Sequence, residues 1–141
     1  MEKNKTILKL KWTKELSVNN NDIDDQHKNL FNIINKLIRI RQSGSDREHI
    51  LEILKELVDY SYKHFKTEDI YMMDNDFPLF LSHSQEHQKY MVKIGEFISS
   101  FEEEKTNLST DILLFLREWW INHISETDMK YTLYIKTTNI Q

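Results

Sequence analysis

Two stretches of the chain carry the residue types best able to do chemistry. HFKTED places His64 and Glu68 four residues apart, and HSQEH places His83 and His87 four apart, on either side of the turn DNDFP. Residues at that spacing project from one face of a helix, so each pair forms a candidate metal-binding face. His27, at the end of NNNDIDDQH, and His123, in WWINHISETD with Asp128 five residues on, stand in comparable settings. Imidazole nitrogens with a few carboxylates are ligands for borderline divalent metals such as zinc and iron.

The elements that must position these residues can be read from apolar periodicity. A first helix over Ile23 to Gln42 carries His27, Leu30, Phe31, Ile34, Leu37 and Ile38 at three- and four-residue steps. Gly44 is placed to cap it, and Ser45 to Glu48 have the spacing of a capping box that opens the next helix. The second helix aligns Ile50, Leu54, Leu57, Ser61, His64 and Glu68. Pro78 suits the first turn of a third, whose inner face is Phe80, His83, His87, Tyr90, Met91, Ile94, Phe97, Ile98 and Phe101. Gly95 within it points to close approach of a neighbour. A fourth, capped by Ser109 or Thr110, presents Ile112, Leu113, Leu116, Trp119, Trp120, His123 and Thr127, with Asp128 one residue on. Residues 1–20 form an arm anchored by Trp12 and Leu16, and the tail over 132–141 either prolongs the last helix or folds back.

Composition agrees with this pattern. Two glycines and one proline in 141 residues are too few for the turns of a β-rich chain. The expected class is all-α: one domain, an up-down-up-down antiparallel four-helix bundle over residues 21–131. The absence of cysteine excludes disulfides, iron–sulfur clusters and thiolate zinc sites. A net charge of −4 gives no nucleic-acid footprint. No apolar run is long enough for a membrane span or a signal peptide, which makes a cytoplasmic protein the expectation.

In such a bundle the start of the first helix, the end of the second, the start of the third and the end of the fourth share one level. His27, His64, Glu68, His83, His87, His123 and Asp128 therefore converge at one end. A lone histidine on an apolar stripe is usually a hydrogen-bonded core residue, but four helices delivering histidines to one level is a different observation. The remaining histidine, His49, falls at the opposite end and is expected in solvent. His123 and Asp128 are about 140° apart around an ideal helix, so Asp128 must reach sideways or lie where the helix distorts. Seven donors exceed what one four-coordinate zinc ion uses, and two metals fit better.

NNNDIDDQH, HFKTED, HSQEH and WWINHISETD together resemble the hemerythrin family, specifically its single-domain bacterial members, over about Trp12 to Tyr131. The resemblance implies a non-haem, oxo- or hydroxo-bridged centre of two iron ions and reversible binding of dioxygen. By it, His27 and His64 hold one iron, His83, His87 and His123 the other, and Glu68 and Asp128 bridge both. The first iron is then left with an open position. The implied role is oxygen transport, storage or delivery, with an oxygen-consuming enzyme as a conceivable recipient and the chain acting as a monomer or homo-oligomer. An oxygen or redox sensor, a di-iron detoxification enzyme and a structural zinc bundle are the alternatives. One position departs from the family pattern: Trp120 stands where a leucine near the oxygen pocket is common, and either faces that pocket or packs outward. Asp69 and Phe77 are variants expected to be without consequence.

Overall fold

The computed structural model describes residues 7–43, 47–103 and 110–138. After a short 3-10 turn, Lys14–Leu16, come α1 (Asn21–Ser43), α2 (Arg47–Asp74), α3 (Phe80–Glu102), α4 (Thr110–Asn122), a π-helical turn (His123–Thr127) and α5 (Asp128–Thr138). The last three form one unbroken rod, so the architecture is the expected all-α four-helix bundle. The tail prolongs the last helix as α5 and does not fold back. α1 lies beside α2 and α4, and α2 beside α3. α3 and α4 meet through rings: Tyr90 and Phe97 against Phe115, and Tyr90 against Trp119. No helix among the described residues is long and apolar enough to cross a membrane.

The helix ends nearest the candidate ligands are firmly specified. Asn20 caps α1, its side-chain oxygen accepting the Ile23 N–H at 3.1 Å. α2 ends in a Schellman motif: the Phe77 N–H reaches Met72 O at 3.0 Å, the Asp76 N–H reaches Met73 O at 3.1 Å, and Asp76 takes a left-handed φ of 53°. Phe77 and Met72, the two residues whose apolar contact accompanies this motif, are both buried in one cluster. Phe77 thus has a structural role that its sequence position did not announce. Pro78 precedes α3 and is not in its first turn. It occupies the second position of a tight turn closed by the Phe80 N–H on Phe77 O, where its fixed φ is favourable. The capping residues expected at Gly44, Ser45 and Ser109 lie outside the described residues.

The arm is pinned more widely than Trp12 and Leu16 alone. Both pack against the core as expected, but among the described residues of this segment Ile7, Leu10 and Val18 are the buried ones. Asn35 on α1 clamps Leu10 from both sides, accepting its N–H at 2.7 Å and donating to its carbonyl at 2.9 Å. Arg117 on α4 donates to Leu8 O at 2.8 Å. Asp24 accepts the Val18 N–H and the Ser17 hydroxyl, fastening the arm to the first turn of α1.

The interior is layered. A large apolar cluster runs from the far end of the bundle to Phe65, Tyr90, Trp120 and Ile124. A small one, of Val18, Ile23, Met72, Phe77, Tyr131 and Ile135, closes the near end. The candidate ligands fill the layer between them. Gly95 does not mark a close helix approach, because a Cβ built there meets nothing within 4 Å. The glycine only adds backbone freedom to the unfolded chain, so Gly95→Ala is expected to stabilise the protein by about 0.5–1 kcal/mol. Urea unfolding should show a higher midpoint at unchanged slope.

Candidate metal centre

All seven residues singled out from the sequence lie in one layer, and none is more than 3% exposed. His27 comes from α1, His64 and Glu68 from α2, His83 and His87 from α3, His123 from the start of the π turn and Asp128 from the residue that follows it. His49 is exposed at the other end, as expected. The distortion required by the five-residue spacing of His123 and Asp128 is that π turn, in which the Asp128 N–H donates to His123 O. A bond to the fifth residue back widens the helix by one residue, so both side chains turn inward.

The donors form two groups joined through Glu68: His27, His64 and Glu68, and His83, His87, His123 and Glu68, with the donor atoms of each within 4.8 Å of one another. Glu68 divides between them. Its Oε2 lies 3.7 Å from both His27 and His64 Nε2, while its Oε1 lies 2.9, 3.4 and 3.5 Å from Nε2 of His87, His83 and His123. Asp128 divides likewise, with Oδ2 3.3 Å from His27 Nε2 and Oδ1 3.1 and 3.0 Å from His83 and His123 Nε2.

Hydrogen bonding leaves part of this layer unsatisfied. Glu68 Oε1 and both Asp128 oxygens have no hydrogen-bond partner although fully buried, a state that is costly unless something else binds them. The facing nitrogens make the same point. His87 Nδ1 lies 3.2 Å from Asp69 Oδ1 and His123 Nδ1 lies 2.9 Å from Glu86 Oε1. A carboxylate accepts, so each Nδ1 carries the proton and each Nε2 presents a lone pair. In the neutral rings those two lone pairs face each other at 3.1 Å, a separation at which a proton or a metal cation must lie between them. Donors held at about 2.1 Å from one ion and at right angles would lie about 3.0 Å apart, close to the separations found.

Residues one step around each helix complete the setting, and the pattern of the sequence did not single them out. Besides Asp69 and Glu86, Gln26 accepts from His64 Nδ1 at 2.7 Å, and the Tyr131 hydroxyl donates to Glu68 Oε2 at 2.8 Å. Asp69 is therefore not a variant without consequence. Gln26, Asp69 and Glu86 each adjoin a candidate ligand in sequence, and an acidic or amide residue beside such a ligand was the available signal. Trp120 faces inward and is fully buried, its ring centre 5.8 Å from that of His64. Its N–H donates to Tyr90 OH at 3.1 Å, so it walls the site without offering it a donor.

The family model for the Hemerythrin HHE cation binding domain matches residues 18–133. The chain belongs to the hemerythrin family. It is 33% identical over 121 residues to the bacteriohemerythrin of Methylococcus capsulatus, covering 85% of this chain and 92% of that one. It is 35% identical over 120 residues to the hemerythrin-like protein of Naegleria gruberi, covering 85% and 88%. A crystal structure of wild-type hemerythrin superposes with a TM-score of 0.78 at 31% identity, covering 89% of this chain and 94% of that one. The cofactor of this family is a di-iron centre, and the buried histidine and carboxylate layer is able to hold it. The chain is thus a di-iron, oxygen-binding domain of hemerythrin type.

Without metal, the carboxylates draw protons onto the imidazoles. Burial opposes protonation of His27 and His83, but the facing Asp128 and Glu68 carboxylates outweigh it and push both up to about 9. His123 is raised by the same carboxylates against its burial. His64 goes the other way: its burial prevails over Glu68 and brings it down to about 3. Burial would raise Glu68, yet the imidazoles facing it, His64 foremost, hold it well below the usual carboxylate range. A pKa raised in the fold stabilises fully below the unfolded value of 6.5, and that contribution is lost as pH rises through about 9. His64 is neutral both folded and unfolded across that window. Urea unfolding of the metal-free protein should therefore show declining stability from pH 6.5 to 9, and the iron-loaded protein, whose ligand nitrogens hold no titrating proton, should not.

Proposed function

We propose that this chain binds dioxygen reversibly, as a carrier, store or delivery protein, with His27 and His64 holding one iron, His83, His87 and His123 the other, and Glu68 and Asp128 spanning the two. The observation that carries this reading is the asymmetry of the donors. One half is offered three imidazole nitrogens and the other two, while each carboxylate gives one oxygen to either side. The two-histidine half thus has one protein donor fewer, and that is where an external ligand has room. When bound, a ferrous pair supplies the two electrons that reversible dioxygen binding requires.

What the chain itself does is hold and enclose. Glu68 and Asp128 fix the spacing of the halves, and the Tyr131 hydroxyl fixes the Glu68 carboxylate. Leu30 and Phe31, one turn beyond His27 on α1, are buried with Phe65 and Trp120 in the adjoining apolar layer. Those side chains exclude water, and with it the protons that would let reduced oxygen escape. Two donors in that apolar wall are committed away from the site: Trp120 N–H to Tyr90, and Tyr90 OH paired with Ser61.

Metal analysis should give about two irons per chain, and the anaerobic ferrous protein should be colourless. Air should raise a visible absorption band that vacuum removes over repeated cycles. Immediate, irreversible oxidation with stoichiometric peroxide release would defeat the carrier reading. Trp120→Leu should loosen the wall beside His64, speeding both oxygen loss and autoxidation in stopped-flow absorbance. Truncating so large a buried ring costs on the order of 3 kcal/mol of stability, so the variant is best assayed well below its unfolding temperature.

A further inference from the structure

The outward nitrogens of the five histidines are not supported equally. In the three-histidine half, His87 Nδ1 faces Asp69, which also receives the Ser84 hydroxyl at 3.4 Å, and His123 Nδ1 faces Glu86, which receives the Thr127 hydroxyl at 3.0 Å. In the other half, His64 Nδ1 meets only the neutral amide oxygen of Gln26, which is steadied by its own donation to Thr67; each half has one outward nitrogen without a partner, His27 Nδ1 here and His83 Nδ1 in the first. The hydroxyl of Tyr131 adds to the imbalance. It donates to Glu68 Oε2, the oxygen that faces His27 and His64, and draws electron density from it.

A carboxylate accepting the outer N–H makes an imidazole a more basic and better oriented ligand than a neutral acceptor does. Both anionic supports serve one half, and the neutral and electron-withdrawing contacts serve the other. We propose that Asp69 and Glu86 are positioning residues that make the His83/His87/His123 half the tighter, first-filled metal site, the His27/His64 half being filled second. This rests on the ligand set proposed above and adds an order of assembly to it. A half-loaded protein then holds its metal in the half that cannot take oxygen, and the oxygen-binding half is the one that gains and loses metal.

The test is anaerobic titration of the metal-free full chain with Co2+, followed by visible absorption and calorimetry. Two binding steps of unequal affinity are expected. Asp69→Asn and Glu86→Gln keep the size and a neutral acceptor but remove the charge, and each should weaken the first step by roughly tenfold or more, within the range known for such outer partners. The gap between the steps should narrow in both. Gln26→Leu, acting on the other half, should widen it. If both carboxylate variants weaken the two steps equally, the residues are merely structural and the proposal falls. Two equal steps in the parent protein also overturn it while leaving the ligand set intact. Failure of the parent to bind a second ion would instead overturn the ligand set itself.

Discussion

A carboxylate with no exposed surface, standing among five imidazoles, is the constraint from which the rest of this structure follows. Glu68 and Asp128 are both fully buried, and three of their four oxygens lack a hydrogen bond. Charge of that kind in an apolar interior is strongly unfavourable unless positive charge joins it. Protons on His27, His83 and His123 meet the need in part, and metal cations meet it with geometry as well as charge. The two apolar layers on either side then act as insulation: they keep water from the carboxylates, strengthening every attraction within the layer.

Positioning such a layer requires four helices to begin and end at controlled places. Asn20 starts α1 seven residues before His27, so that histidine lies in a fully formed second turn and not in a fraying end. Asp76 accepts a left-handed conformation to finish α2 in a Schellman motif. Phe77 then packs with Tyr131 and Tyr134 across the end of the bundle. The Asp24 clasp on residues 17 and 18 draws the arm over the same end. None of these contacts touches the ligands, yet each sets a helix terminus on which the level of a histidine depends.

Much of this was legible in the sequence because helical spacing carries direction. His64 with Glu68, and His83 with His87, announce a shared face by being four apart, and antiparallel packing then brings the faces to one level. Direction one step around the helix is harder to read. Asp69 and Glu86 sit at positions that periodicity assigns to solvent, and indeed they remain partly exposed while reaching back to His87 and His123. Tyr131 stood at the very end of the expected bundle, against a tail whose course the pattern left open. Gly95 misled for another reason: a glycine in a helix signals a tight crossing only if a neighbour is present, and neighbours are a property of the fold. The inward face of Trp120 likewise depended on the phase of α4 against Tyr90 and His64.

The π turn gives the last rod an unusual sensitivity to chain length. α4 presents Trp120 inward and the start of the π turn presents His123, and after the extra residue α5 presents Asp128, Tyr131 and Ile135. Deleting one residue between positions 123 and 127 would restore an ordinary helix, but it would swing everything downstream by about 100°. Asp128 would leave the metal layer, Tyr131 would lose Glu68, and Ile135 would leave the closing apolar cluster in a single event. Exchanging a side chain here alters one contact; changing the residue count alters all of them. Homologous proteins carrying this centre should therefore differ in the side chains of this segment far more readily than in its length.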